Sequence, residues 1–221
     1  MPNERDEGYL TKDEWIKIGD LTRQCADSCR IDPKFYSQYD VKKGLRDLDG
    51  RGVLAGLTEI SEVKATAEAD GKRVPAPGEL YYRGYNVNDL VKGFLTDKRF
   101  GFEEATYLLL TGKLPSAREL RSFCDLLGEF YTLPKNFVRD IIMKSPSEDM
   151  MNSLMRCVIS LFPYDPNPNN TAPDNVMRQC LQLIAQVPIF SVYSYAASSF
   201  YNKSDSLVIH RPRTDLSMAE N

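Results

Sequence analysis

Histidine is the scarcest reactive residue in this sequence: 221 residues hold one, His210, and one tryptophan, Trp15. Chemistry that needs several imidazoles at one site is therefore outside the reach of this chain. Cysteine is present but odd in number, five in all, so complete pairing into a disulfide framework is impossible. No uninterrupted apolar run reaches the ~18 residues a membrane-crossing helix needs. The N-terminal MPNERDEGYL is charged and lacks the apolar stretch of a secretory signal. An excess of one charge sign is also missing. Lys and Arg number 28 against 31 Asp and Glu, a net charge of −3, which leaves no basic footprint for nucleic acid. These absences lead us to expect a cytoplasmic protein with neither a nucleic-acid nor a membrane partner.

What is present reads mainly as helix. Thr11 with Glu14 fits a capping box, and Trp15, Ile18, Leu21 and Cys25 follow at helical spacing, predicting a helix from Thr11 to Arg30 that Pro33 stops. This helix is either an arm against its own or a neighbouring subunit, or a surface helix with one buried face. Cys25 and Cys29 share a helical face. They read as buried or half-buried free thiols; as metal ligands they would need two more donors, and we expect no metal. Cys124, Cys157 and Cys180 read as small core residues. Lys42, Lys43, Arg46 and Arg51 form a basic cluster beside Asp40, Asp47 and Asp49; it is a solvated patch or a phosphate contact.

From Gly52 the pattern changes. GVLAGLTEISEV and GELYYRGYNVNDLV read as short extended segments, the second passing into a helix capped by Asn86 or Asn88. The polar stretch between Val63 and Gly78, centred on Asp70-Gly71, reads as a hairpin-like loop between them. Phe102, Ala105, Tyr107, Leu108 and Leu109 then mark a helix ending at Gly112, and Pro115-Ser116 begins another. Further helices are expected from Pro134 through Ile141 and from Pro146 onward, the latter with Met150, Met151, Leu154, Cys157, Val158 and Leu161 on its apolar side. FPYDPNPNNTAP is a loop that cannot be helical. Met177 to Phe200 is a long, nearly apolar helix with Pro188 inside it, expected to be kinked and buried.

Three pieces together carry a resemblance. Gly56-Leu57-Thr58-x-Ile60-Ser61, Gly78-Glu79-Leu80-Tyr81-Tyr82-Arg83-Gly84-Tyr85, and Phe102-Glu103-Glu104-x-x-Tyr107-Leu108-Leu109-x-x-Gly112-x-Leu114-Pro115 resemble the N-terminal part of citrate synthases. DMMNSLMRCVISLFPYD is similar to a helix near the subunit interface of that family, and the SLVIHRPRTDLSMAEN tail to a family connector. The resemblance implies a mainly α fold, a helical large domain with a small β-hairpin region near residues 53–85. It divides the chain into an N-terminal helical arm, 1–34, and the large-domain portion, 35–221.

It further implies condensation of acetyl-CoA with oxaloacetate to citrate and CoA, or the related 2-methylcitrate reaction. Acetyl-CoA would be a substrate, with no permanently bound cofactor. In the family an aspartate is the base, histidines are donor and acid, and arginines clamp oxaloacetate. Those motifs have no counterpart here, so we expect no catalytic residue in this chain, and His210 to be a solvent-exposed loop residue. Ser217 with Glu220 fits a further capping box, so the chain reads as cut short at a helix start. The expectation is a scaffold and dimer surface, inactive alone, partnered by a second copy or by a citrate synthase C-terminal half. A non-catalytic paralogue or split-enzyme subunit that binds synthase subunits is the other reading.

Overall fold

The computed structural model describes residues 10–42 and 53–221, apart from the side chain of Arg73. Among them the chain is mainly α-helical, with one three-stranded antiparallel sheet of β1, Ser61–Ala69, β2, Lys72–Tyr82, and β3, Tyr85–Asn86, in that order. The described residues up to Thr22 and Ser116–Asn221 form one compact unit, and those from Arg23 to Pro115 another. The boundary falls within α1, Lys12–Ser28.

The first unit is helical. Thr11 and Glu14 close the start of α1 reciprocally: Thr11 N–H donates to Glu14 Oε2 at 2.6 Å and Glu14 N–H to Thr11 Oγ1 at 3.3 Å. Ile18 and Leu21 are buried, while Trp15 is 38% exposed. A second capping box, Ser116 with Glu119, starts α5, Ala117–Glu129. The helix expected from Pro134 is a π-helical turn, Val138–Met143. α6, Met150–Ser160, begins four residues later than Pro146, because the Asp149 carboxylate accepts from Asn152 N–H and caps it there. The proline-rich loop holds one turn of 3₁₀ helix at Phe162–Tyr164, which the sequence reading excluded; Pro163 tolerates this because it sits in the first turn.

α7, Pro173–Lys203, organises this unit. Its helical assignment runs through Pro188. Met177, Leu181, Ala185, Ile189, Tyr193 and Ala197 are buried at steps of four, a single stripe down the helix. Phe190 stacks on Phe137 with centroids 5.4 Å apart, and Tyr164 meets the same Phe137 ring edge-on at 5.8 Å. The opposite side is not buried: Val192, Tyr195 and Tyr201 are each more than half exposed. The expectation of burial on most sides is thus corrected to one face. Among the described residues α7 is the helix long and apolar enough by length and composition to cross a membrane, an exception to the sequence reading. Its buried stripe belongs to the core of a helical unit.

The second unit contains α2, Lys34–Gln38, the sheet, α3, Val87–Thr96, and α4, Phe102–Thr111. β1, Ser61–Ala69, pairs with β2, Lys72–Tyr82, from Ser61↔Tyr82 to Ala69↔Lys72, with a register shift between Lys64 and Thr66. Asp70 and Gly71 both take positive φ, 51° and 69°, the conformation a two-residue hairpin turn requires. The polar stretch is therefore the strands themselves, not a loop between them. All nine residues of β1 are exposed, so neither face is packed, although Val63, Ala65, Ala67 and Ala69 alternate with Glu62, Lys64, Thr66 and Glu68. Asn86 caps α3 by accepting from Asn88 N–H at 2.9 Å. Tyr107 and Leu108 are the buried apolar residues of α4, whose Phe102 is 38% exposed.

Candidate functional site

Two polar constellations stand out, one in each unit. In the second unit the β2–β3 turn consists of Arg83 and Gly84, with φ of 49° and 85°. A non-glycine residue in that region costs roughly 1–2 kcal/mol. Here the turn aims a guanidinium at the C-terminal ends of two helices. Arg83 Nε and Nη2 donate to Leu109 O at 3.1 and 3.0 Å, and Nη1 donates to Ser28 O at 3.0 Å. Helix C-termini carry unsatisfied carbonyls and partial negative charge, so a cation there is doubly favourable. Gly112 ends α4 in the left-handed conformation, its N–H bonded to Leu108 O at 2.8 Å. A Cβ at Gly112 would lie 2.8 Å from Ser28 Cβ, so glycine also permits the close approach of α4 to the end of α1.

Cys29 lies against the same guanidinium. Arg83 Nη2 donates to Cys29 Sγ at 3.5 Å. That hydrogen bond, with a contribution from Ser28, outweighs partial burial and lowers the thiol pKa below its ordinary value. Cys25 is half-buried and Cys29 exposed, so the expectation that both are at least partly sequestered holds for Cys25 alone. Thr58, Glu59, Ser61, Glu62, Arg83 and Gly84 line a shallow cavity of about 280 Å³ nearby. Its Arg83 donors are committed to the Leu109 and Ser28 carbonyls, the Ser28 hydroxyl and Cys29.

In the first unit a polar spine runs along α7. Arg178 Nη2 donates to both oxygens of Asp165, at 2.7 and 2.6 Å, and Nε donates to Asn175 Oδ1 at 3.2 Å. Arg178 Nη1 donates to Gln182 Oε1 at 3.2 Å. Gln182 passes to Gln186, which donates to Phe130 O and Thr132 O at 3.1 and 3.2 Å. Burial pushes the Asp165 carboxyl up, but hydrogen bonds from Arg178, Gln179 and the Asn167 N–H override it and hold the group below the usual range. This network ties the Asp165–Ala172 loop to the helix, and each donor in it is used. Sequence reading missed both Arg83 and Arg178. The signals were a charged residue between two tyrosines and a glycine, and an arginine inside an apolar helix.

The residues singled out from sequence lie apart. His210 is exposed, and its backbone carbonyl accepts from Tyr193 O–H at 2.6 Å, which pins the tail to α7. Burial raises the Tyr193 phenol above its ordinary pKa. Lys42 pairs with Asp40 at 2.7 Å on the surface; Lys43, Arg46 and Arg51 lie outside the described residues. Cys157 is buried, Cys124 half-buried and Cys180 exposed, so Cys180 is not a core residue as expected. At Ser217 the cap forms in altered form: Glu220 accepts from both the Ser217 N–H and its hydroxyl, at 2.9 and 2.7 Å. α6 buries Cys157 and Ser153 but exposes Met151 by 66%, Met155 by 57%, Ile159 by 71% and, just past its end, Phe162 by 56%. These four fall at i, i+4, i+8 and i+11, one uninterrupted stripe. Met151 and Val158, expected on the packed side, are exposed.

Comparison with known proteins gives these elements a context. The sequence model of one family, described as citrate synthase, C-terminal domain, matches residues 44–221. The chain is 30% identical over 154 residues to 2-methylcitrate synthase 1 of Corynebacterium glutamicum, covering 69% of this chain and 35% of that one. It is 35% identical over 128 residues to the citrate synthase of Saccharolobus solfataricus, covering 58% of this chain and 28% of that one. The crystal structure of citrate synthase from Pyrobaculum aerophilum superposes with a TM-score of 0.58 at 25% identity, covering 81% of this chain and 44% of that chain. The chain thus spans less than half the length of these proteins. With a family match over four-fifths of the sequence and the helical fold in agreement, this chain belongs to the citrate synthase family.

Proposed function

We propose that this chain is the scaffold and subunit-contact part of an enzyme that condenses acetyl-CoA with oxaloacetate to citrate and CoA, and that it does no chemistry alone. The observation that supports this reading best is the apolar stripe Met151, Met155, Ile159 and Phe162 on α6. A stripe of large apolar residues facing water is costly unless something covers it. A second copy is the occupant we propose, through a two-fold contact in which the same face meets itself. Against chemistry in the chain alone stands the scarcity of imidazoles. The sequence has one imidazole, His210, and it is exposed. Proton abstraction beside a thioester needs a base and an enolate donor converging on one carbon. Arg178, a buried cation that could hold a carboxylate, already holds that of Asp165. Five cysteines outside any disulfide fit a reducing, cytoplasmic setting.

The test is release of CoA by the purified chain with oxaloacetate and either acetyl-CoA or propionyl-CoA, run alongside sedimentation. A folded dimer without turnover supports the reading; turnover or a well-folded monomer overturns it. The same stripe also suits a chain that binds complete synthase subunits as a non-catalytic paralogue or split-enzyme partner. Co-purification with such a subunit, in place of self-association, would favour that second reading.

A further inference from the structure

We propose that Cys25 and Cys29 form a redox-active dithiol at the C-terminal end of α1, with Cys29 as the attacking sulfur and Cys25 as the resolving one. This does not rest on the proposed function. The geometry carries it. Both residues lie on one side of the last turn of α1, joined by the Cys29 N–H to Cys25 O bond at 3.1 Å. One helical turn separates their Cα atoms by about 6 Å, within the ~4.4–6.8 Å that a disulfide spans. Cys29 is the residue just past the end of α1, so closing the bridge rearranges a helix terminus and no helix interior.

The two sulfurs are also unequal in the way such a pair requires. Cys29 is exposed and receives the Arg83 guanidinium at 3.5 Å, with Ser28 Oγ 3.9 Å away. A cation and a hydroxyl beside sulfur stabilise the thiolate, the form that attacks. Cys25 is half-buried behind it. By contrast burial raises the Cys157 thiol, which keeps that residue protonated and inert. Arg83 is fixed by three contacts to Leu109 and Ser28 carbonyls, so its position does not depend on the sulfur.

The oxidant is a hydroperoxide. The Cys29 thiolate attacks one peroxide oxygen; the S–O bond forms, the O–O bond breaks, and the departing alkoxide or hydroxide takes a proton. Cys29 becomes a sulfenic acid, oxidised by two electrons, and the peroxide is reduced to an alcohol or water. Cys25 then gives up its proton and attacks the Cys29 sulfur; the S–S bond forms and hydroxide leaves, taking that proton as water. Two thiols and one hydroperoxide yield a disulfide, one alcohol or water, and one further water. A reductant of the dithiol class reverses the bridge.

The experiment treats the full chain with hydrogen peroxide, blocks the remaining thiols, and digests with trypsin. Both cysteines then fall in one peptide, Gln24–Arg30. The expected result is loss of two hydrogens from that peptide, restored by dithiothreitol. In Cys25→Ser the bridge is lost and a 1,3-dione probe captures sulfenic acid on Cys29. Alkylation of Cys29 against pH should have its midpoint below the ~8.5 of an ordinary thiol. Arg83→Gln should move that midpoint up if it folds; if it does not, the native midpoint decides. A Cys29 midpoint at or above the ordinary value, or a Gln24–Arg30 peptide that stays reduced while Cys180 oxidises, overturns the proposal.

Discussion

The Arg178 guanidinium holds both carboxylate oxygens of Asp165 from a single nitrogen, at 2.7 and 2.6 Å, and the two side chains are 9% and 11% exposed. Removing one member leaves the other sealed without its counter-charge. Asp165→Ala should therefore cost about 3 kcal/mol, measured as a lower urea midpoint with unchanged slope. Joint replacement, Asp165→Leu with Arg178→Met, should recover most of that loss, because two apolar groups of similar volume leave no orphaned charge.

The same pair sets an acid dependence. The Asp165 pKa is depressed in the folded protein, so its contribution is complete above the unfolded value, about 3.9, and is lost as pH falls through the lower folded value. Urea titrations at pH 7 and pH 5 should then show the same gap between native chain and Asp165→Asn. The gap should narrow below about pH 4. A gap that grows on acidification would contradict the sign.

Two glycine substitutions should move in opposite directions. Gly112→Ala forces a side chain into φ +79° and 2.8 Å from Ser28 Cβ, and should destabilise by about 1–2 kcal/mol or more. Gly93→Ala lies inside α3 with nothing within 4 Å of the new methyl group, and should stabilise by about 0.5–1 kcal/mol. Thermal melts followed by circular dichroism give both signs in one comparison.

Tyr193→Phe removes the hydroxyl that holds His210 O and should cost about 1 kcal/mol. His210→Ala keeps that carbonyl and should stay within about 0.5 kcal/mol of the native chain. Denaturant titration of the two variants separates a backbone role from a side-chain role for His210.

Met155→Glu with Ile159→Glu places charge on the exposed α6 stripe without touching the buried face that carries Cys157. If the proposed dimer forms through this face, sedimentation should shift to monomer and the unfolding midpoint should lose its dependence on protein concentration. A dimer that survives both charges would mean that the subunit contact lies elsewhere.

The parts legible in the sequence are those whose cause is local. The capping box at Thr11/Glu14, the helix start at Pro115-Ser116 and the Asp70-Gly71 turn each depend on residues within one turn of each other. Most of β1 reads as loop because its alternating apolar residues are largely alanines among charges, too small to mark a buried face, and all nine residues are exposed. Cys180 and Met151 were assigned to the wrong side because an apolar helix shows its period poorly when both faces carry large hydrophobics. Arg178 on α7 and Asp165 in the loop before it are thirteen positions apart, and Arg83 joins Ser28 and Leu109 from a third segment. No window of sequence contains such partners together.

The hairpin formed by β1 and β2 stands on ladder bonds and cross-strand pairs, with no β1 side chain committed to an interior. Its length is thus uncoupled from the packing of the helices. Between Asp70 and Gly71 the chain can accommodate a spliced-in epitope or fluorophore tag as a free-standing ribbon extension, making that tip the natural handle for labelling the protein.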